Sequence, residues 1–313
     1  MIRTFACLFF LLASGATAAA EGITPFAEAI VWHASAETSS VWASEVPLTA
    51  HEFEATNIDF GWNAGYRAGL LIHPPEWLWD VQFTVTHFST SQDAAIADGL
   101  NLVIPEFFSG FLSGDSFDFT EASVDWSIKY TTFDLEVGHA ISMSPGCIIR
   151  PTFGLKAAVI DQDVDSHWAD FFGVTAVERV DHEFFGFGPS AGVGVCWQPG
   201  GVEGLCLVAD CSGAWMYGVW NVEDDFQRTD GGAPSSSYEA FTTSMNDSKL
   251  GTIMIRSFFG AEWYLPWSTH VVGRVGYEMQ WWANQQRLLT FQQLPMHGDL
   301  TFQGGVCGIA VTY

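Results

Sequence analysis

The sequence has 313 residues, and its 11 Lys and Arg against 36 Asp and Glu give a formal net charge of −25. This charge excludes nucleic acid as a partner, because binding to phosphates requires a basic surface. Only 15% of the residues are charged, however, while another 15% are aromatic and the mean hydropathy is +0.17. A water-soluble acidic protein is normally more polar than this, so we expect part of the surface to contact a solvent other than water.

The first 20 residues have the pattern of a cleaved secretory signal peptide. Arg3 precedes an apolar stretch from Phe5 to Ala13, and small residues follow, so that cleavage is expected after Ala18 or Ala20. Residues 21–313 then carry ten basic and 36 acidic residues, a net charge of −26. They contain no run of 18 apolar residues that could span a bilayer as a helix. If this part of the chain enters a membrane, it does so as strands.

Alternation of apolar and polar residues is the dominant pattern of the chain. The clearest case is "WLWDVQFTVTHF", in which Trp77, Trp79, Val81, Phe83 and Val85 share one face and polar residues occupy the other. This period of two is typical of a strand with one apolar and one polar face. In chain order, the pattern predicts ten strands at 26–35, 57–72, 77–90, 118–143, 147–160, 182–197, 204–220, 250–265, 270–283 and 300–313.

The connections between these strands alternate strictly between short and long. The short ones are 73–76, 144–146, 198–203 and 266–269, and the long ones are 36–56, 91–117, 161–181, 221–249 and 284–299. Short turns at one rim and long loops at the other are typical of an outer-membrane β-barrel. We therefore predict one transmembrane antiparallel up-and-down barrel over residues 21–313, with short periplasmic turns and long acidic extracellular loops. Ten strands are preferred, with twelve as the alternative if 40–46 pairs as an extra hairpin arm.

The segment 118–143 fits this pattern least well, because its 26 residues could form two strands. A single long strand preserves the alternation of loops. It requires a β-bulge near Thr131 and Thr132, which would shift the side-chain phase. Above the bulge we expect four side chains to point outward, those of Val124, Trp126, Ile128 and Tyr130. Below the bulge we expect Phe133, Leu135 and Val137 to point outward.

Charged residues within the predicted strands fall on the face opposite the aromatic residues. A barrel requires this, since Arg or Lys on the lipid face near the midplane costs about 2–4 kcal/mol. Lys129 and the acids Asp59 and Asp125 are included in this prediction. The residues predicted to line the pore are Arg67, Asp80, Asp134, Glu136, Arg150, Lys156, Asp210, Arg256, Glu262, Arg274 and Glu278.

The predicted long loops carry most of the remaining charge, with 21 acids and four bases. An acidic vestibule raises the local concentration of cations, so the sequence predicts a weak cation preference. The alternative is that these acids only keep the outer surface hydrated and bridged by divalent ions. The run Asp161, Asp163, Asp165 begins like an EF-hand loop, but Ser166 replaces the required glycine and Phe172 the required glutamate, so we predict no metal site.

Five cysteines follow the predicted signal peptide, and no Cys/His spacing indicates zinc. Cys196 and Cys206 are equidistant from residue 201 and share the inward face, so they could lie opposite each other and form a disulfide. The alternative is that both are small residues that fill the lumen. Cys211 and Cys307 would face lipid or a neighbouring chain. No hydrolase motif such as G-x-S-x-G occurs, and we predict neither enzymatic activity nor a cofactor.

Several stretches resemble a known family when taken in order. They are "FGWNAGYRAGLLIHPPEWLWDVQFTVTHFST", "FDLEVGHAISMSPGCIIRPTFGLKAAVIDQDVD", "FFGFGPSAGVGV", "VGYEMQWWANQQRLLTF" and "GDLTFQGGVCGIAVTY". Together they resemble the Legionella and Chlamydiae type of major-outer-membrane-protein-like porins, over nearly all of Phe26 to Tyr313. The resemblance implies a pore-forming barrel of the Gram-negative outer membrane. It also implies that the terminal aromatic, Tyr313, is the signal read by the barrel-assembly machinery.

The function expected from the sequence is a porin, a passive diffusion channel for small hydrophilic solutes. The partners expected are outer-membrane lipid, the assembly machinery and other copies of the chain in a homo-oligomer. A ten-stranded barrel is narrow, and small barrels are commonly filled by their own side chains. The alternative function is therefore a structural or adhesive barrel with a closed lumen, whose acidic loops bind partners or ions.

Overall fold

The protein is all β in a computed structural model, which describes residues 22–36, 41–47, 54–97, 101–105, 119–200, 202, 204–229, 238–265, 270–288 and 296–312. No helix within these residues is long and apolar enough to cross a membrane. The strands are β1 (Ile23–Ala36), β2 (Val41–Pro47), β3 (Glu54–Asn57), β4 (Trp62–Ile72), β5 (Asp80–Ala97), β6 (Asn101–Pro105), β7 (Glu121–Gly138), β8 (Ile141–Ser144), β9 (Cys147–Ala169), β10 (Thr175–Trp197), β11 (Leu205–Thr229), β12 (Tyr238–Tyr264), β13 (Val271–Leu288) and β14 (Met296–Val311).

Ten of these strands form a closed antiparallel barrel in the order β1-β4-β5-β7-β9-β10-β11-β12-β13-β14. Strand β14 closes the ring by pairing with β1, from Phe26 opposite Ala310 to Ala36 opposite Leu300. The short strand β8 follows β7 after two residues and pairs with the start of β9 near the turn. The prediction of a single ten-stranded barrel is confirmed.

A small separate sheet, of order β3-β2-β6, lies at the long-loop end of the barrel. It is anchored by Trp42 of β2, which is fully buried and packs on Trp168 near the end of β9, with ring centroids 5.6 Å apart. Val103 of β6 is also fully buried and bridges to Phe119. The twelve-stranded alternative is wrong, because the predicted extra arm pairs within this separate sheet and not within the wall.

The barrel strands continue far into the segments that the sequence suggested were loops. Strands β9 to β12 are 23, 23, 25 and 27 residues long, whereas about 9–11 residues suffice to cross a bilayer. The predicted loop 161–181 is a hairpin whose turn spans only 170–174. Within this turn the Asp170 carboxylate accepts hydrogen bonds from the backbone N–H groups of Phe172 and Val174, at 2.7 and 2.8 Å. Much of the predicted acidic loop is therefore barrel wall.

The predicted bulge in β7 is absent, and the side-chain phase of the strand never shifts. Pairing with β5 is unbroken from Gly138 opposite Asp80 to Glu121 opposite Ala97. Trp126 and Tyr130 consequently point into the barrel and are fully buried, as are Val124 and Ile128. Asp125 and Lys129 point outward, opposite to the prediction.

The sequence pattern changes phase because the polarity of the barrel inverts along its axis, while the backbone continues regularly. The change occurs at the level of Tyr66, His87 and Thr131, which are paired across β4, β5 and β7. Below this level, large apolar side chains face outward, including Leu70, Phe83, Phe133, Leu135, Phe153, Leu155, Phe185 and Phe187. We call this surface the apolar band. Above this level the buried apolar residues face inward and the outer wall is mainly polar, apart from Val31 and Trp62 close to the boundary, and we call this part the stem.

Two irregularities of register lie in other strands of the barrel wall. Between β11 and β12 the register shifts after Met216, where Gly251 with φ of 98° is the extra residue. Between β13 and β14 it shifts after Trp282, next to Asn284 with φ of 51°. Glycine and asparagine are the residues that tolerate this left-handed backbone conformation.

Candidate functional site

All eleven residues predicted to line the pore project into the lower half of the barrel. They come from β4, β5, β7, β9, β11, β12 and β13, and they lie on the side of each strand opposite the apolar band. Five of them are buried by more than nine-tenths, namely Arg67, Asp80, Asp134, Lys156 and Glu278. The structure brings ten of the eleven side chains, all except Glu136, together into ion pairs, and these ten do not stand as separate charges around an open lumen.

A buried ion network crosses the centre of the lumen. Arg67 donates to Glu278 at 2.6 Å and to Glu28 at 2.7 Å, and Arg256 donates to the other oxygen of Glu278 at 2.8 Å. Glu278 is completely inaccessible to solvent. Arg67 lies on β4, Glu28 on the neighbouring β1 and Glu278 on β13, so these contacts span four consecutive strands of the wall and hold Arg67 between two carboxylates.

Arg274 extends this network along β13. It contacts Asp210 at 2.5 Å, Glu262 at 3.3 Å and Glu28 at 3.6 Å. Its guanidinium also lies 4.0 Å from the centroid of the Phe258 ring, a cation–π contact. We use the name ion network for the set Glu28, Arg67, Asp210, Arg256, Glu262, Arg274 and Glu278.

Glu28 is a member of this network that the sequence analysis missed. It lies on β1 in phase with Ile30 and Trp32, both fully buried. The same strand face is polar in the lower half and aromatic in the stem. The charge of Glu28 within an otherwise apolar strand is the signal that could have identified this residue.

Two further ion pairs line the opposite wall. Arg150 of β9 pairs with Asp80 of β5, and Lys156 of β9 pairs with Asp134 of β7. Glu136 lies between these two pairs on β7, in phase with Asp134 and opposite Gln82. Among the described residues Glu136 has no ion-pair or hydrogen-bond partner.

An aromatic plug fills the barrel directly above the ion network. Trp32, Phe88, Tyr130, Phe302 and Trp282 are each fully buried, and their ring centroids are 4.7 to 6.1 Å apart along the chain of contacts. Further fully buried rings continue upward into the stem, namely Phe60, Trp126, Trp168, Phe184, Trp220 and Phe226.

Hydrogen bonds join the plug to the ion network. The hydroxyl of Tyr130 donates to Gln280 at 2.6 Å, and the Gln280 amide donates to Glu278 at 2.8 Å. Gln280 is itself buried. The two layers are therefore one continuous packed unit across the lumen.

Below this unit lies a cavity of about 430 Å³. It runs from Arg67 and Gln280 to the rim of the short turns, where Thr24, Ile148 and Thr312 line it. Its wall carries many hydroxyl and amide groups, including those of Gln82, Thr84, Thr86, Thr132, Thr152 and Ser212. The cavity opens toward the short turns and ends against the ion network.

The outer wall of the stem is strongly acidic, and we call it the acidic wall. Asp163, Asp181 and Glu223 lie directly beside one another on β9, β10 and β11. Partial burial and the carboxylates of Asp163 and Glu223 raise the pKa of Asp181 above its ordinary value. Burial and the carboxylate of Glu183 likewise raise the pKa of Asp161. Like charges placed opposite each other in a sheet are destabilising, so this surface costs stability.

The structure also contains a disulfide between Cys196 of β10 and Cys206 of β11, with Cα atoms 5.8 Å apart. The two residues are not directly opposite, because Cys196 is paired with Val208. The bond therefore runs diagonally across the hairpin. Cys147, Cys211 and Cys307 carry free thiols.

Two predictions fall on residues outside the described ranges, namely the signal peptide at 1–20 and the assembly signal at Tyr313. Within the ranges that are described, no group of three or more His, Cys, Asp and Glu side chains could hold a metal ion.

A solved structure with a similar fold is an outer-membrane protein. The outer membrane protease OmpT from Escherichia coli has a TM-score of 0.52 and 10% identity, covering 93% of this chain and 97% of that chain. At this identity the likeness shows the fold alone. The toluene transporter TodX from Pseudomonas putida has 7% identity and a TM-score of 0.32, covering 94% of this chain and 90% of that chain. A major outer membrane protein from Thermus thermophilus has 11% identity and a TM-score of 0.32, covering 94% of this chain and all of that chain.

Sequence comparison identifies the family. No curated protein matches the chain. A family model described as the Legionella pneumophila major outer membrane protein precursor matches residues 23–312, which include every strand of the barrel. The chain therefore belongs to the family of the Legionella pneumophila major outer membrane protein precursor, and it is a β-barrel of the bacterial outer membrane.

Proposed function

We propose that this protein is a structural outer-membrane barrel with a closed lumen, and that its acidic stem outside the bilayer is the surface that contacts partners or ions. The observation that carries the proposal is the pair of buried layers across the lumen. The ion network lies below and the aromatic plug lies above, and Tyr130 and Gln280 join them.

Opening a path through this lumen would expose the plug to water. A buried aromatic side chain covers about 150–250 Å², and at about 25 cal/mol per Å² its exposure costs about 4–6 kcal/mol. At least Trp32, Tyr130 and Trp282 would have to move, since each is fully buried in the middle of the barrel. A spontaneous opening of this size would be rare, which favours a barrel that does not conduct.

The proposal gives the protein no catalytic role. The positive members of the ion network are arginines, which stay protonated and supply no general base at neutral pH. Each of the three arginines is held by at least one carboxylate. This arrangement supports a stabilising role for the charges.

The second candidate is the passive diffusion channel for small hydrophilic solutes with a weak cation preference. The observation in its favour is the polar cavity of about 430 Å³, which already provides the lower part of a hydrated path. Five acids and five bases line it, so a cation preference would come from the acidic wall of the stem and not from the cavity itself. This function requires the aromatic plug to move aside.

Liposome swelling distinguishes the two candidates. Purified full-length protein is reconstituted into liposomes, and heat-modifiable migration verifies that the barrel is folded. The closed barrel predicts no swelling in an isosmotic solution of a pentose at any protein concentration. A variant with Trp32→Ala and Phe302→Ala serves as the matched comparison, because it removes two rings of the plug. Swelling by the wild-type protein would establish the diffusion channel and contradict the closed lumen.

A further inference from the structure

The wall of the stem has an unpaired edge along the upper part of β12. Pairing between β12 and β13 ends at Met254 opposite Trp282. Above Met254, β12 continues to Tyr238, and within the ranges that the structure describes it pairs there with β11 alone. The other side of this segment therefore presents a row of backbone N–H and C=O groups that can pair with another strand. We call residues 242–253 the free edge.

The free edge lacks most of the features that keep strand edges from pairing. Proteins usually protect an edge by short length, by proline or by charged side chains. The edge strands of the small sheet follow this rule, since β3 has four residues and β6 has five and ends at Pro105. The free edge is longer, with the sequence TTSMNDSKLGTI, and contains no proline. The side chains on its outer face above the bulge at Gly251 are exposed and uncharged, namely Thr242, Ser244, Asn246, Ser248 and Leu250.

Contacts with the rest of the stem hold the free edge in place. Met245 packs against the apolar core, and the hydroxyl of Thr242 donates to Asp225 of β11 at 2.5 Å. Pairing with β11 is unbroken from Leu250 upward. Because the edge is already ordered as a strand, a partner that adds to it does not have to order it first.

The acidic wall determines which charge a strand on this edge should carry. Ser244 lies opposite Glu223 of β11, and Glu223 lies opposite Asp181 of β10. A strand added to the free edge would be two strand spacings, about 10 Å, from β11. Lys and Arg side chains are long enough to lie across β12 and approach these carboxylates. A basic strand would also offset the repulsion among the acids, whereas a second copy of this chain would bring the same acids with it.

We propose that the free edge is a docking site for an extended basic segment of a partner protein, which adds to β12 as an antiparallel strand. Main-chain hydrogen bonds to the edge hold the segment, and Lys or Arg at alternate positions pair with the acidic wall. The proposal rests on the acidic stem as the contact surface of the proposed function and names its class of partner. It does not depend on the closed lumen.

The test is isothermal titration calorimetry on the full-length protein in detergent micelles, with a twelve-residue peptide of alternating lysine and threonine. The same peptide with every backbone amide N-methylated keeps the charges but donates no main-chain hydrogen bonds. A peptide of alternating glutamate and threonine reverses the charge. We expect the first peptide alone to bind. Hydrogen–deuterium exchange of the complex should then show slower exchange of backbone amides within the free edge.

Two double variants locate the charge that is recognised. Glu223→Gln with Asp225→Asn removes the carboxylates opposite the free edge and should weaken peptide binding by about three- to tenfold. The matched control, Asp93→Asn with Asp125→Asn, removes two exposed carboxylates that lie opposite each other on β5 and β7. It should leave the affinity for the peptide nearly unchanged.

Several results would overturn the proposal. Equal binding of the N-methylated peptide would show that charge alone is recognised, and an equal loss in the two double variants would show that no part of the wall is preferred. Slower exchange confined to other strands would place the peptide elsewhere. Dimers whose free edge is protected without any peptide would make a second copy the occupant. Absence of peptide binding to a barrel that causes no liposome swelling would refute this site and leave the closed lumen intact.

Discussion

The inverted polarity of the barrel predicts that one charge introduced at two levels of the same strand has opposite consequences. Leu135 and Ser127 both face outward from β7. Leu135 is 46% exposed in the apolar band, whereas Ser127 lies in the stem and donates a hydrogen bond to Asp163 at 3.1 Å. The substitutions to compare are Leu135→Arg and Ser127→Arg.

The magnitude follows from the position of each residue relative to the level of Thr131. Leu135 is four residues below it, which is about 13 Å along a strand and about 10 Å of depth at a tilt of about 40°. In an apolar band about 25 Å tall this lies close to the midplane, where Arg costs about 2–4 kcal/mol. Ser127 is four residues above Thr131, in water and beside a carboxylate. An exposed ion pair there contributes at most about 1 kcal/mol, in the favourable direction.

The measurement is urea unfolding of both variants from phospholipid vesicles, followed by tryptophan fluorescence. We expect Leu135→Arg to lose about 2–4 kcal/mol of unfolding free energy and Ser127→Arg to match or slightly exceed the wild type. An equal loss in the two variants would refute the inversion, since it would place Ser127 in lipid. A negligible loss in Leu135→Arg would show that this part of β7 is outside the bilayer.

Three further predictions concern stability. Arg67→Met should lower the free energy of unfolding by about 3–5 kcal/mol in the same urea assay, because it leaves two buried glutamates without their shared cation. Lys129→Met on the acidic wall should lower it by less than about 1 kcal/mol. Similar losses in the two variants would argue against the ion network. Cys196→Ser should lower the free energy of unfolding by about 2–4 kcal/mol. A reducing agent should lower the stability of the wild type by the same amount and should not change that of the variant. Cys147→Ser should have no effect. Asp181→Asn should raise the thermal midpoint at pH 7 by a small amount. The raised pKa of Asp181 means that the folded chain binds this proton more tightly than the unfolded chain, so stability falls as the pH rises through the folded pKa, and the advantage of the variant should disappear below about pH 4. An advantage that persists unchanged at pH 3 would contradict this cause.

The sequence predicted the barrel and the contents of its lower half because strict alternation there separates lipid from lumen. Charged residues such as Arg67 and Asp134 could be placed on the inner face from that alternation alone. The pairing of Arg67 with Glu278 could not be predicted, since the two residues are 211 positions apart and only the closed ring brings them together.

The prediction for the stem, with its apolar side chains outside, is wrong for a physical reason. If every apolar face must meet lipid, the apolar residues Trp126 and Tyr130 belong outside, and a bulge is needed to explain the change of phase. The strand instead passes from a lipid environment to an aqueous one, where apolar residues belong inside. The predicted acidic loops arose from the same assumption, because a wall with alternating acids such as Asp161 and Asp163 has no apolar outer face.

The closed lumen is the central claim, and single-channel recording in planar bilayers tests it most directly. Purified full-length protein should give no conductance steps in 1 M KCl, a salt concentration chosen to be about seven times the physiological ionic strength of about 0.15 M. The variant with Trp32→Ala and Phe302→Ala, recorded under the same conditions, shows whether removing the plug creates a path. Stable steps from the wild-type protein would contradict the account and establish an open channel.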